Sequence, residues 1–571
     1  MLIFFITWVI MCFILYTSGD ILLTVYNRFC KQNEEYNFID KLLLGLCFLI
    51  IPLSINSLWF PSNHWFLVVA IFVSINYWGF NYERVSAFCK SIKKITGSYQ
   101  IIILLITALV FTLFFTWHHD VYDAAYYHFQ NIRWNEEYAV VPGLANIDDR
   151  FGFNSNIFLL NAIFTFRVFL GEAIYPLQPL FITIITCWVV YELFRSGYET
   201  KRVIIFFSYI LLYWVSIYFL GNTSTDILPN FIAFYVIARI VLYPQILDKK
   251  YLLGIILPVL LLTFKLSFFP IGLISIYLIY RLIRNRRNKV VLFMLAISFS
   301  IAIPWLIRNI IISGYLIYPL YQVDLFNFDW KVSREIAIKE KDYIFSIGYY
   351  FFRIALRYPW MSVRDPLFIN ILTDIIFLFT SVSSVIISLN LFRKRKETSK
   401  HIYLICSILL LSVIVWVTGG PDARFISGIL CSIIFLGGIM FFQNKKNNIT
   451  STGKYLFILF TVSIVCWTGH RLYKFQVETG IQSFEILSHI LVKPYSVNDQ
   501  QKVKNIDVAS RFYPYPINNG LSVWAGPTPP YDLPLPACIH SDYAKFLPIE
   551  CIEARGETFQ EGFRAKKDCG Q

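Results

Sequence analysis

His118-His119-Asp120-Val121-Tyr122-Asp123-Ala124-Ala125-Tyr126-Tyr127-His128 follows directly on an apolar run, Tyr99 to Trp117, long enough to cross a bilayer. Ionisable groups beside lipid are expensive, so a cluster of them marks a functional segment. A carboxylate there is partly desolvated, which raises its pKa and suits it to take a proton from a hydroxyl. Asp123 is the first candidate for such a base, and Asp120, one helical turn away, is the second. Asp123 also reads as the N-cap of a helix starting at Ala124, a role worth about 1 kcal/mol. Tyr127 and His128 read as hydrogen-bonders to a substrate, and His118 and His119 as interfacial polar groups.

Groups able to hold an anion occur at three later places. Leu262-Thr263-Phe264-Lys265-Leu266-Ser267 sets a lysine inside apolar sequence. At a helix centre that costs about 2.5–3.5 kcal/mol. A lipid phosphate would offset the cost, and so would snorkelling to the interface. Pro304-Trp305-Leu306-Ile307-Arg308-Asn309 closes a span and offers Trp305 to a substrate and Arg308 to a phosphate. Gly419-Gly420-Pro421-Asp422-Ala423-Arg424 offers a second guanidinium. Either arginine suits bidentate phosphate binding, or a salt bridge such as Arg424 with Asp422. Asp148 and Asp149, together with Asp123, offer oxygen ligands to a divalent cation; the other reading is a solvated turn paired with Arg150. The cofactor is left open by these residues. Asp226 reads as the cap of the span that follows it.

The elements that position these residues are membrane helices. The chain is 57% hydrophobic and 15% charged, with mean hydropathy +0.58. A soluble domain carries about 25% charged residues. The expected fold is an all-α polytopic membrane protein. About fourteen spans are expected, near 1–19, 40–58, 64–81, 99–117, 174–194, 202–220, 227–246, 251–268, 269–283, 290–312, 367–392, 401–418, 425–443 and 454–471. The net charge of +14 sits in short loops between spans, such as Arg281–Lys289, Arg393–Lys400 and Lys445-Lys446. That pattern orients a membrane protein and argues against nucleic acid as partner. It places 118–173, 221–226, 313–366, 419–424 and everything after 472 on the extracytoplasmic side.

Residues 1–18 lack a basic leader and a small-residue cleavage site and read as a retained helix. The stretch 156–170 is short, carries Arg167 and reads as an amphipathic helix in the interface, the other reading being a short spanning helix. Four regions follow: N-terminal spans 1–98, a core 99–320 with the 118–173 loop, a loop and C-terminal spans 321–471, and a small Pro- and Tyr-rich extracytoplasmic domain 472–571. Three of the 11 cysteines lie in that tail; Cys538–Cys551 is the expected pair, leaving Cys569 over.

Three segments in order, Tyr122-Asp123-Ala-Ala-Tyr126-Tyr127, Thr263-Phe264-Lys265 and Pro304-Trp305…Arg308-Asn309…Gly314…Tyr318-Pro319, resemble the GT-C class of membrane glycosyltransferases. That class includes protein O-mannosyltransferases and the lipid A aminoarabinose transferases. The loop also resembles less characterised bacterial multipass proteins with Val-Pro-Gly-Leu and Arg-Phe-Gly-Phe-Asn elements, here Val141–Leu144 and Arg150–Asn154. The likeness is good over 99–320 and architectural elsewhere. Ala124 stands where many members have an acid, and Leu266 where many have glycine.

The resemblance implies a GT-C-like bundle in a bacterial inner membrane. It implies transfer of a sugar from a polyprenyl-phosphate donor to a glycan, lipid or protein acceptor in cell-surface glycan assembly. Asp123 would be the base, with Lys265, Arg308 and Arg424 on the phosphate. The rivals are a polysaccharide polymerase or ligase using a lipid pyrophosphate-linked oligosaccharide, a transporter or flippase of lipid-linked sugars, and a scaffold without activity.

Overall fold

A computed structural model describes the chain apart from residues 86–98, 118–122, 222, 245–246, 248–249, 358–366, 394–399, 443–449, 505–506, 540–546 and 570–571. The protein is 74% helical, as an all-α polytopic chain requires. A helix lies under each of the fourteen expected segments. Among the described residues eight helices are long and apolar enough to cross a membrane, from Leu2–Cys30 to Thr450–Thr479. The first runs eleven residues past its apolar stretch because its polar end is satisfied inside the bundle: Asp20 is buried and accepts from Lys41 Nζ at 2.7 Å and Tyr77 Oη at 2.6 Å.

One end of the bundle is covered by the loop after helix Tyr99–Trp117. Residues Ala124–His128 form a π-helical turn that continues as the α-helix Phe129–Glu137. The expected interfacial helix over 156–170 is instead two pieces, Asn156–Ile163 and Arg167–Leu170, hinged at Phe166, whose φ is +53°. Every residue of Asn156–Ile163 is buried. It is a core helix, not one lying in an interface, because the loop helices and the spans enclose it on all sides.

The tail domain packs on this loop. Strands β1 (Tyr513–Pro516), β2 (Ser522–Gly526) and β3 (Ala537–Ile539) form one sheet, β1–β2 antiparallel and β2–β3 parallel. Strands β4 (Ile552–Ala554) and β5 (Phe563–Ala565) form an antiparallel pair. The start of β5 docks where Phe563 N–H donates to Pro142 O at 2.9 Å. Gly143 permits that approach: its φ is +64°, and a Cβ there would lie 2.0 Å from Phe563 O.

The expected cysteine pairing is corrected. Cys551 is bonded to Cys569, with Cα atoms 5.7 Å apart. Lys566 N–H donates to Cys551 O at 2.8 Å and Cys569 N–H to Lys566 O at 3.1 Å, so the return of the β4–β5 pair brings these two together.

Candidate functional site

Four elements far apart in sequence converge at the loop-covered end of the bundle. Asp123 opens the π-helical turn; Asp226 precedes helix Ile227–Leu242; Lys265 stands between helices Tyr251–Phe264 and Leu266–Ile271; Arg424 lies in the short turn Ala423–Phe425. Neither Asp123 nor Asp226 makes a capping bond with its side chain, contrary to the capping reading. Both carboxylates turn to cations instead. Asp123 Oδ2 accepts from Arg424 Nη1 at 2.5 Å. Asp226 Oδ1 pairs with Lys265 Nζ, and its Oδ2 lies 3.6 Å from Arg424 Nε. Asp422 Oδ2 lies 3.1 Å from the same Nε, the pairing expected from sequence.

Three carboxylates thus face two cations. Burial works against the charge on Arg424, but Asp123, Asp422 and Asp226 outweigh it and hold its pKa well above the ordinary value. Aromatic faces complete the setting: Lys265 Nζ sits 3.6 Å above the Phe425 ring, and the Arg424 guanidinium 5.6 Å from the Phe219 ring. The side chain of Asp123 is 28% exposed, against 8% for Asp226 and 7% for Asp422. Asp123 is therefore the most accessible of the three carboxylates.

Asn230 fixes the relation of these elements. Its Nδ2 donates to Asp226 O and Arg424 O, both at 2.8 Å, and its Oδ1 accepts from Gly428 N–H at 2.8 Å. Gly428 is required for the close approach, since a Cβ there would lie 2.1 Å from Asn230 O.

Tyr127 and His128 line the same region. The His128 ring is buried between Tyr127 (centroids 4.4 Å apart) and Phe158 (5.4 Å), and its Nδ1 has no hydrogen-bond partner among the described residues. Burial lowers its pKa to about 4, against a smaller opposing pull from Asp123 and Asp226. It is therefore neutral at pH 7. The unfolded chain protonates such a histidine near pH 6.5 and the folded chain only near 4. Its contribution is therefore full above pH 6.5 and is lost as pH falls through about 4. His128→Gln is expected to flatten the fall in apparent melting temperature between pH 6.5 and 4, removing a dependence of about 3 kcal/mol; melting curves of both proteins across that range check it.

Arg308 and Trp305 are not part of this cluster's hydrogen-bond network. Trp305 Nε1 donates to Asn154 O at 2.5 Å, and Asn154 Nδ2 returns a bond to Trp305 O at 3.0 Å. Arg308, 2% exposed, donates to Asn154 Oδ1 at 3.2 Å, Ser57 Oγ at 2.8 Å and Asn135 Oδ1 at 2.7 Å. Its donors staple two spans to the loop. Arg308→Ala leaves three buried acceptors short of donors, at about 1–3 kcal/mol each where nothing else satisfies them. The expected outcome is a fall in melting temperature and in yield of folded protein, checked by fluorescence-detected size exclusion.

Asp148 and Asp149 are buried beside Arg150 rather than in a solvated turn. Asp148 Oδ1 caps the turn Asp149–Gly152, accepting from Arg150 N–H at 3.0 Å. Burial, then the neighbouring Asp149, pushes the Glu340 carboxyl well above its usual range. The Arg150 guanidinium stacks near Tyr126 and Tyr127, at 5.8 Å and 6.0 Å. Among the described residues no group of three His, Cys, Asp or Glu side chains is arranged to hold a metal ion. Asp120, His118 and His119 lie outside the described residues.

Sequence reasoning missed Asp226 as a partner and Asn230 altogether. The signal for Asp226 was its sidedness: it shares a face with 118–173 and 419–424. No curated protein and no solved structure matches the chain. A family model described as a domain of unknown function, DUF8201, matches residues 1–431. That stretch contains Asp123, Asp226, Lys265, Asp422 and Arg424 and ends before the tail domain, so the chain belongs to the DUF8201 family through the part that builds the site.

Proposed function

We propose that the protein is a GT-C-like glycosyltransferase of about fourteen spans, moving a sugar from a polyprenyl-phosphate donor on the extracytoplasmic side of a bacterial inner membrane. The observation that carries this reading is the juxtaposition of Asp123, Lys265 and Arg424 in one partly exposed cluster at a bundle end. An inverting displacement needs a base for the acceptor hydroxyl and cations for the departing phosphate. Asp123 takes the hydroxyl proton as the acceptor oxygen bonds to the anomeric carbon. The anomeric carbon–oxygen bond to phosphate breaks, and its electron pair leaves with the polyprenyl phosphate, held by Lys265 and Arg424.

Because both cations already face carboxylates, the phosphate competes with Asp226 and Asp123 for them. That competition favours a substrate held also through its lipid. A small apolar groove between helices Tyr99–Trp117, Leu177–Arg195 and Thr450–Thr479, lined by Ile103, Phe111, Val190 and Phe460, lies along the spans, away from the bundle end that carries Asp123. Arg308, with its donors engaged, is assigned no phosphate here.

The test is release of labelled polyprenyl phosphate by the purified protein from a panel of polyprenyl-phosphate sugars. Release with one donor supports the proposal. Release only from lipid pyrophosphate-linked oligosaccharide favours the polymerase or ligase. Movement of intact donor across proteoliposomes without release favours transport.

A further inference from the structure

The tail domain lies outside the matched family region, yet one stretch of it is built onto the turn that carries Asp123. Four backbone groups of Tyr531–Leu533 bond to a single helical segment. Tyr531 N–H donates to Ala125 O at 3.0 Å. Gln130 Nε2 donates to Tyr531 O at 3.1 Å and Leu533 O at 2.8 Å, and Arg133 Nη1 to Asp532 O at 2.9 Å. The first bond falls within the π-helical turn, whose own ladder runs i→i+5, as from Phe129 N–H to Ala124 O. Ala125 O, two residues after Asp123, finds its partner in the tail.

Charge locks the contact. Asp532 is 3% exposed and takes a fork of two bonds from Arg167, 2.7 Å to Nη1 and 2.8 Å to Nη2. Arg167 Nε also donates to Glu136 Oε2 at 3.0 Å, at the end of the helix that continues the π-helical turn. The clamp therefore grips that helical stretch near both ends, at Ala125 and at Glu136.

We propose that the Tyr531–Leu533 segment is a positioning element: it sets the register of the π-helical turn and so holds Asp123 at Arg424. Asp532 anchors the segment and touches neither Asp123 nor Arg424, so it is a positioning residue. The structural half of this inference stands by itself; its catalytic half rests on the transferase reading.

Full-length Asp532→Asn and Asp532→Glu test it beside wild type, in the same detergent. Hydrogen exchange is read for peptides covering 124–133, with β1–β2 peptides as an internal control. For Asp532→Asn the expected result is exchange at least about tenfold faster at 124–133, with unchanged exchange in β1–β2. Asp532→Glu, which keeps the charge, is expected to recover part of the protection. With a donor that wild type turns over, kcat is expected to fall about tenfold with KM for the donor unchanged, as misplacement of a base rather than loss of binding requires. Unchanged exchange at 124–133 in Asp532→Asn overturns the proposal, and so does accelerated exchange with wild-type kcat. Accelerated exchange in a protein whose wild type turns over no donor upholds the clamp and defeats the transferase reading alone. Should Asp532→Asn fail to fold, Gln130→Ala, which removes two neutral bonds and no charge, is read the same way with the same outcomes.

Discussion

Arg424→Ala is expected to give a protein that is markedly less stable and, on the transferase proposal, no longer binds the lipid phosphate. The guanidinium faces Asp123, Asp226 and Asp422 at 2.5, 3.6 and 3.1 Å. Its removal leaves three carboxylates against Lys265 alone. Breaking a buried ion pair from one side costs on the order of 3–5 kcal/mol, because the remaining charge keeps its desolvation penalty. Arg424→Lys is expected to recover little, since a point charge on a flexible stem cannot engage Asp123 through Nη1 while Nε faces the other two acids. Replacing both Arg424 and Asp226, by Ala and Asn, should restore stability relative to the single change by lowering the uncompensated charge. Apparent melting temperatures of wild type, Arg424→Ala, Asp226→Asn and the double mutant give the coupling directly, and a double mutant no more stable than Arg424→Ala would contradict the electrostatic account.

On the transferase proposal, Asp123→Asn is expected to lower sugar transfer by roughly 10²–10⁴-fold, the usual contribution of a positioned general base. The amide retains the shape of the side chain and can accept from Arg424 through its carbonyl oxygen, so folding should be intact. Binding of the lipid phosphate should be equal or tighter, since one carboxylate fewer competes for Arg424. That split, loss of turnover with binding kept, separates a base from a structural acid. Asp226→Asn makes the comparison sharp: it alters the same charge balance at a residue less accessible to a substrate.

Much of the architecture is legible in the sequence because a bilayer imposes length and hydropathy on each span. Expected limits and helix ends diverge where tertiary partners satisfy polar groups that hydropathy counts against a span. Helix Leu2–Cys30 passes through Asp20 because Lys41 and Tyr77 stand opposite. The 156–170 stretch was misread for the converse reason: amphipathicity registers Arg167 as a solvent-facing charge, whereas its partner, Asp532, lies 365 residues later. The Cys551–Cys569 pairing likewise depends on the β4–β5 return, which no spacing reveals.

The site was legible as separate parts rather than as an assembly. Asp123, Lys265 and Arg424 each stood out as polar groups in apolar surroundings, and the structure brings those three together. Arg308 stood out by the same signal, yet its donors go to Ser57, Asn135 and Asn154. A buried cation looks alike in sequence whether it serves a ligand or the fold. Asp226 was hidden by its position before a helix, where capping is the commoner role.

The most direct test of the central claim is donor turnover by wild type and Asp123→Asn in matched proteoliposomes, with bound polyprenyl phosphate measured in the same samples. The account predicts release of polyprenyl phosphate by wild type and its loss in Asp123→Asn at equal or higher lipid-phosphate occupancy. Equal release by the two proteins, or none by wild type with every donor, would contradict it.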